Sequence, residues 1–285
     1  MTTLVSAWNE AKRRLEAAGV QSPAIDARIL LEAAAAATRA DILADPRRPL
    51  NPRQAETLDG YLARRERREP VSHILGARGF WKIMLRVTPA VLAPRPDTET
   101  ILDVVLPLFA EDEAFAVLDL GVGSGAILLA ILAERPRARG LGVDASDEAL
   151  AVARDNAANL GLAPRAAFMH TDWTAGLDGE QFDLVVSNPP YVRTGDIASL
   201  PPEVRDHEPR LALDGGRDGL KAFRALAPQI LRVLRPGGRF AVEFGPGQRE
   251  AIWALFAKVG AEDLAVTRDL ATHERVLGGR KKALG

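Results

Sequence analysis

The chain of 285 residues contains no cysteine, which excludes disulfides, thiolate zinc ligands and thiol nucleophiles and fits a reducing cytosol. Histidine is scarce. The four present, His73, His170, His207 and His273, show no metal-ligand spacing with acidic residues, so no metal is expected. No apolar run reaches the roughly 18 residues that span a bilayer. The opening stretch, MTTLVSAWNEAKRRLEAAG, also lacks the basic-then-apolar order of a secretory signal, so a cytoplasmic protein without membrane contact is expected. An excess of one charge is missing as well. Lys+Arg of 37 against Asp+Glu of 38 leaves −1, so no global basic field argues for nucleic acid. There is no Gly-x-Ser-x-Gly nucleophile elbow.

What is present is ample apolar material, 47% of the chain, enough for one large or two smaller domains. Residues 1 to about 70 read as helices only. Leu4, Trp8, Ala11 and Leu15 recur at helical spacing, Gly19 ends the first helix and Pro23 opens a second. The alanines from Ala33 to Ala37 favour close helix packing, and the charge run Arg64 to Glu69 reads as a solvated helix face or, alternatively, a docking surface. From Phe80 to Val91 the apolar positions lose helical period, which predicts a hairpin. Residues 94 to 110 return to helix, with Asp97 or Thr98 as the N-cap.

Beyond that point strands and helices alternate. Strands are expected near 115–120, 139–144, 165–170, 182–187, 238–244, 262–268 and 274–278, with helices near 125–134, 146–160, 218–234 and 246–258. Such alternation implies a doubly wound, mostly parallel sheet. The last two strands follow one another with no room for a crossover helix, so that edge should be antiparallel.

The strand Ala116 to Leu120 runs into Gly121-Val122-Gly123-Ser124-Gly125-Ala126 and then an apolar helix. Glycines in this setting let a ligand approach the main chain, and the helix N-terminus adds a partial positive end. Asp144 closes the second strand, where a carboxylate can accept from two ribose hydroxyls. The glycines alone suit nicotinamide dinucleotides and S-adenosyl-L-methionine equally. Two features favour the latter: Asp119 at the strand end, placed to help hold a methionine amino group through water or backbone, and the tetrapeptide Asn188-Pro189-Pro190-Tyr191 after the fourth strand. Asp172 and Trp173 follow the third strand and would reach the adenine side of the same crevice.

The tetrapeptide reads as a clamp for a planar NH2 group. Its prolines hold φ near −65° and donate no N–H, the Asn188 oxygen and a backbone carbonyl can accept both amine or amide hydrogens, and the Tyr191 ring supplies a flat wall.

Assembled, these residues resemble the PrmC/HemK family of glutamine-N5 methyltransferases. The resemblance rests on Arg68-Glu69-Pro70, Ile74-Leu75-Gly76, Phe80-Trp81, Pro94-Arg95-Pro96-Asp97-Thr98-Glu99, the glycine loop, Ser187 to Val192, Glu208-Pro209, Gly215 to Leu220, and Glu243-Phe244-Gly245 with Gln248. It implies a class I S-adenosylmethionine-dependent methyltransferase fold, Rossmann-like, with a mostly parallel seven-stranded sheet and an antiparallel edge, preceded by a small all-helical domain. The implied division is a helical substrate-recognition domain at 1–75, a hairpin linker at 76–93 and a catalytic domain at 94–285.

By the same resemblance, cofactor contacts fall on Gly121, Val122, Gly123, Ser124, Gly125, Asp144, Trp173 and Asn188, and substrate contacts on Asn188, Pro189, Pro190 and Tyr191. Catalysis falls to Asn188, Pro189 and Tyr191. The implied reaction carries a methyl group from S-adenosyl-L-methionine, leaving S-adenosyl-L-homocysteine, to the glutamine of the Gly-Gly-Gln motif of class 1 peptide chain release factors, by a monomeric enzyme with no direct nucleic-acid partner. Alternatives are a ribosomal-protein glutamine methyltransferase and an exocyclic-amine (adenine-N6) nucleic-acid methyltransferase, the latter needing a basic track. The chain departs from the family at His73, usually tyrosine, at Val122, commonly threonine, and at His273-Glu274-Arg275-Val276, which bear on the substrate-facing surface and last strands more than on the chemistry.

Overall fold

The computed structural model describes residues 2–179 and 181–283, which fall into two compact units. One comprises the residues up to Gly76 together with Pro201–His207; the other comprises Ala77–Leu200 and Glu208 onward.

The first unit is helical, built from α1 (Leu4–Ala17), α2 (Pro23–Ala35), α3 (Arg39–Ala44), α4 (Pro52–Glu66) and α5 (Val71–Leu75). Reciprocal capping boxes start three of these helices: Thr3 with Ser6, Thr38 with Asp41, and Asn51 with Gln54. On α1 the buried stripe is Leu4, Ala7, Ala11 and Leu15, while Trp8 is half-buried and donates its indole N–H to the Ala24 carbonyl at 3.2 Å. The alanine run does not continue the second helix. Ala36 turns left-handed at φ 47°, a conformation usually left to glycine, and so ends α2 at Ala35.

The second unit opens with a hairpin, β1 (Ala77–Phe80) and β2 (Ile83–Arg86), three residues earlier than the apolar pattern suggests. Then come α6 (Thr100–Val105), β3 (Ala116–Leu120), α7 (Ala126–Glu134), β4 (Arg139–Asp144), α8 (Asp147–Asn159), β5 (Ala166–His170) and β6 (Phe182–Ser187). A short α9 (Pro202–Arg205) belongs to the helical unit, and α10 (Lys221–Val233), β7 (Leu234–Glu243), α11 (Arg249–Lys258), β8 (Ala261–Arg268) and β9 (Glu274–Lys281) complete the chain. The seven strands lie in the order β5-β4-β3-β6-β7-β9-β8. All pairings from β5 to β7 are parallel, whereas β9 runs antiparallel to both β7 and β8, so the reversed strand lies one place in from the edge.

Strand alternation feeds two cores. Val117, Leu184, Val186 and Ala241 pack with α6, α7 and α8 on one face; Leu118, Val185, Phe240 and Val242 pack with α10 and α11 on the other. A sheet buried on both faces has continuous apolar strands, as Val185 and Val186 illustrate at 0% exposure.

The charge run of α4 is neither a solvated face nor a free docking surface. Arg64 pairs with Glu69; Arg65, 5% exposed, pairs with Asp26 and Glu203; Arg68 pairs with Glu203 and donates to the Gly19 carbonyl. Only Arg67 of these arginines is exposed.

Candidate active site

Two adjacent parallel strands set the site. Leu120 of β3 and Ser187 of β6 are register partners, and Ser187 Oγ donates to the Leu120 carbonyl at 2.7 Å. Gly121 and Asn188 therefore leave the carboxyl edge side by side. The chain order reverses between these strands, since β4 and β5 lie beyond β3 and β7 beyond β6, and such a switch point opens a crevice for ligands.

The glycine loop is tied down by its own backbone. Gly121 N–H and Val122 N–H both donate to the Val143 carbonyl at 2.9 Å, and Gly123 N–H donates to Asp144 Oδ2 at 2.9 Å. Asp144 Oδ1 accepts the Ser146 N–H at 3.0 Å, so each carboxylate oxygen holds one backbone donor and keeps a lone pair for a ligand. Gly125 starts α7 at φ 86°, a conformation that favours glycine, and a Cβ there would also press on Leu129 Cδ1 at 2.8 Å. Beneath the loop, buried Asn156 donates to the Ser124 carbonyl at 2.8 Å and brackets the Arg86 backbone with both arms of its amide.

A cavity of about 750 Å³ lies over these elements. Gly121, Val122, Gly123, Ser124 and Asp144 form one part of its wall, and Asp172, Trp173, Asn188 and Pro190 another. Gly125, Pro189 and Tyr191 do not line it. Trp173 is held at φ 53°, strained for a bulky residue, with its ring 3.7 Å from where a Cβ on Gly121 would be. Asp119 is also absent from the wall. It is buried, accepts the Leu128 N–H at 3.2 Å and so supports the start of α7, and burial pushes its carboxyl up to about 7.

The tetrapeptide is fixed from several directions. Asn188 Nδ2 donates to Thr98 Oγ1 at 3.1 Å. Tyr191, half-buried, directs its hydroxyl to Glu243 Oε1 at 3.4 Å, and burial beside that carboxylate raises the phenol. The Tyr191 carbonyl accepts from Gln248 Nε2 at 3.0 Å, and Val192 exchanges backbone hydrogen bonds with Leu213 and Gly215.

Several residues carry more here than their sequence setting suggests. The helix expected from residue 94 begins as a 3-10 turn, Pro96–Glu99, without a side-chain cap; Thr98 Oγ1 accepts from Asn188 Nδ2 instead of serving as N-cap. Glu99 accepts the Trp81 N–H at 2.8 Å, which ties the hairpin to this turn. Arg95 lines the cavity and pairs with buried Glu208 at 2.6 Å. Arg275, placed by sequence among the last strands, is buried against Asp97 and Asp269 at 3.1 and 3.0 Å and keeps its positive charge beside Glu243 and Tyr191. The departure from the family at His273 to Val276 thus reaches the groups behind the tetrapeptide. His73 is buried in the helical unit.

Among the described residues, no group of three or more His, Asp and Glu side chains could hold a metal ion, and no helix is long and apolar enough to cross a membrane. The cavity wall offers the glycine-loop backbone, the carboxylates of Asp144 and Asp172, an aromatic surface at Trp173 and the framed amide of Asn188, a set suited to binding and orienting a ligand.

The comparisons agree with this architecture. Residues 6–76 match the family described as PrmC N-terminal domain, and residues 96–200 match the Methyltransferase small domain. A methyltransferase structure from Pyrococcus furiosus superposes with a TM-score of 0.51 at 19% identity, over 70% of this chain and 88% of that one, which speaks for the fold alone. A release factor glutamine methyltransferase of Rhodospirillum rubrum is 46% identical over 95% of this chain and 83% of its own length. Another, from Caulobacter vibrioides, is 62% identical over 99% of this chain and 98% of its own. With both domains matched and relatives this similar end to end, the chain is a methyltransferase that belongs to the release factor glutamine methyltransferase family.

Proposed function

We propose that the chain transfers a methyl group from S-adenosyl-L-methionine to the side-chain amide nitrogen (N5) of the glutamine in the Gly-Gly-Gln motif of class 1 peptide chain release factors, in the cytoplasm. The observation that carries this reading is the pairing of Leu120 with Ser187, which sets the glycine loop and Asn188 at neighbouring points of one cavity.

The residues present suit that cofactor. A Cβ built on Gly123 meets nothing within 4 Å, so a ligand has room at the loop backbone, and Asp144 retains acceptor capacity for hydroxyl groups. Trp173, with Ala222 and Ala225 further along the wall, provides an apolar surface for a flat base. When bound, S-adenosyl-L-methionine supplies a sulfonium-borne methyl open to in-line displacement.

The chain's own task is to present a nitrogen on that line. An amide nitrogen is a poor nucleophile because its lone pair is delocalised into the carbonyl. Asn188 Oδ1 and a tetrapeptide carbonyl, each accepting one amide hydrogen, would turn and partly pyramidalise it and stabilise the positive charge that develops there. Pro189 and Pro190 add no N–H that would compete for those carbonyls. Tyr191 steadies the tetrapeptide from outside the cavity wall, its hydroxyl on Glu243 and its carbonyl on Gln248. The extra proton becomes acidic once the methyl is attached, so no side chain is assigned as general base.

Methyl transfer from labelled cofactor to a purified release factor, to its Gly-Gly-Gln glutamine-to-alanine variant, and to bulk RNA and DNA tests the reading. Label on that glutamine, absent in the variant, is expected; label on nucleic acid alone overturns the substrate, and label on neither overturns the proposed reaction.

A further inference from the structure

The turn that carries Thr98 is braced from the far side of the sheet's last hairpin. Thr98 Oγ1 accepts from Asn188 Nδ2 at 3.1 Å, and both residues line the cavity. Asp97 and Arg275 do not line it. Asp97 sits one residue before Thr98 on the 3-10 turn Pro96–Glu99, and its Oδ2 lies 3.1 Å from Arg275 Nη2 on β9.

Arg275 is itself fixed. Asp269, in the turn between β8 and β9, is buried, and both of its carboxylate oxygens are committed: Oδ1 accepts the His273 N–H at 2.9 Å, and Oδ2 accepts from Arg275 Nε and Nη2 at 3.1 and 3.0 Å. Two donors on one acceptor set the plane of the guanidinium, and so the direction from which Nη2 meets Asp97. The Arg275 side chain is 8% exposed and that of Asp97 51%, so the arginine is the rigid member of the pair and the aspartate the one that is held.

We propose that Arg275 is a positioning residue for methyl transfer: clamped by Asp269, it holds Asp97 and thereby fixes where Thr98 Oγ1 meets the Asn188 amide. This deepens the reading above and rests on it. A short 3-10 turn has poor hydrogen-bond geometry of its own, and this one has no side-chain cap. Its shape is set from outside, at Glu99 by the Trp81 N–H at 2.8 Å and at Asp97 by Arg275, with Thr98 between the two pins. Once Asp97 is released, Thr98 Oγ1 is free to shift and the Asn188 amide loses the acceptor that sets its plane. Oδ1 is the other arm of that amide, the one offered to the substrate, so a tilt at Nδ2 is a displacement at Oδ1. A substrate nitrogen moved off the line of methyl transfer costs rate without costing affinity for the cofactor.

Asp97→Ala cuts the brace at its exposed end, where an ion pair adds little to stability, so the melting temperature should stay close to that of wild type. The kcat on the release factor should fall about tenfold, with the KM for S-adenosyl-L-methionine within about twofold. Asp97→Glu keeps the carboxylate and should recover most of the loss. Arg275→Lys keeps a charge beside Asp269 but lacks the fork that reaches both carboxylates, and should lose a factor similar to Asp97→Ala. Because both changes cut one chain of contacts, the double variant should fall within about twofold of the single ones, whereas independent damage would multiply to roughly a hundredfold. Wild-type kcat in Asp97→Ala, or a multiplicative double variant, overturns the inference. A readout independent of any substrate accompanies these: the side-chain 15N order parameter of Asn188, its signals identified by their loss in Asn188→Asp, should drop in Asp97→Ala and return in Asp97→Glu. If it does so while wild type never methylates the release factor, the substrate reading fails and the brace stands; if it does not drop, the brace fails.

Discussion

Gln248 Nε2 lies 3.0 Å from the Tyr191 carbonyl oxygen and also donates to the Gly219 carbonyl at 3.2 Å, while its Oε1 accepts the Gly245 N–H at 2.9 Å. One side chain thus satisfies three backbone groups around the tetrapeptide. Gln248→Met keeps the volume and strands all three. The expected result is a loss of about 2 kcal/mol in unfolding free energy and a fall in kcat of at least tenfold, read by denaturant titration and steady-state kinetics. Near-wild-type values for both would show that the loop holds its shape without this side chain.

Asn188 and Asp144 face the same cavity but should fail differently when truncated. Asn188→Ala should lower kcat by roughly 100-fold or more while S-adenosyl-L-homocysteine binds within a few-fold of wild type. Asp144→Ala removes the acceptor for the Gly123 and Ser146 N–H groups and should weaken that ligand by about tenfold or more. Calorimetry on both variants beside their kinetics checks the contrast; equal losses of ligand affinity would remove it.

Gly215 is a steric test of the same loop. A Cβ there would lie 2.8 Å from Tyr191 Cα and 2.9 Å from the carbonyl oxygens of Pro190 and Gly219, all main-chain atoms that cannot swing aside. Gly215→Ala should therefore displace the tetrapeptide at a stability cost of about 1–3 kcal/mol, with turnover impaired far more than ligand binding. A crystal structure of the variant with Tyr191 unmoved would contradict this.

Glu203 gives a pH-dependent test in the helical unit. Burial pulls its carboxyl up, but hydrogen bonds from Arg68 and Arg65 outweigh that and hold it at about 2, against an ordinary 4.5. A depressed carboxylate contributes stability that is complete above about pH 4.5 and disappears as the pH falls toward 2. Glu203→Gln should accordingly lower the melting temperature by several degrees at pH 6, and the gap to wild type should close between pH 4.5 and 2. A gap that stays constant on acidification would assign the effect to something other than this ion pair.

The strands and the cavity wall were readable because their signals are local. A fully buried parallel strand is a short apolar run, and the loop from Gly121 to Gly125 marks itself by residue type, as does Asn188-Pro189-Pro190-Tyr191. What sequence does not announce is pairing across long separations. Thr98 and Asn188 meet across 90 residues, and Arg275 reaches Asp97 from the last strand. Thr98 stands where a helix N-cap is chemically reasonable, so its local reading and its actual partners compete for the same hydroxyl. Asp119 shows a role that residue type alone does not reveal: its side chain turns under α7 and holds the Leu128 N–H. Gly125, Pro189 and Tyr191 likewise shape the site from outside its wall.

Arg65 and Arg68 find Glu203 only after the chain has passed through the glycine loop and the Asn-Pro-Pro-Tyr segment. During synthesis, then, the amino-terminal helices emerge with two guanidinium groups waiting for a counter-charge that lies more than 130 residues downstream. The unit encoded first is therefore completed only once residue 207 has been made, and a fragment ending at Gly76 would leave the ribosome with Arg65 half-paired. Expression of that fragment beside one carrying a covalently appended 201–207 peptide is the natural way to see how much of the helical unit depends on a piece of chain made so much later than the rest of it.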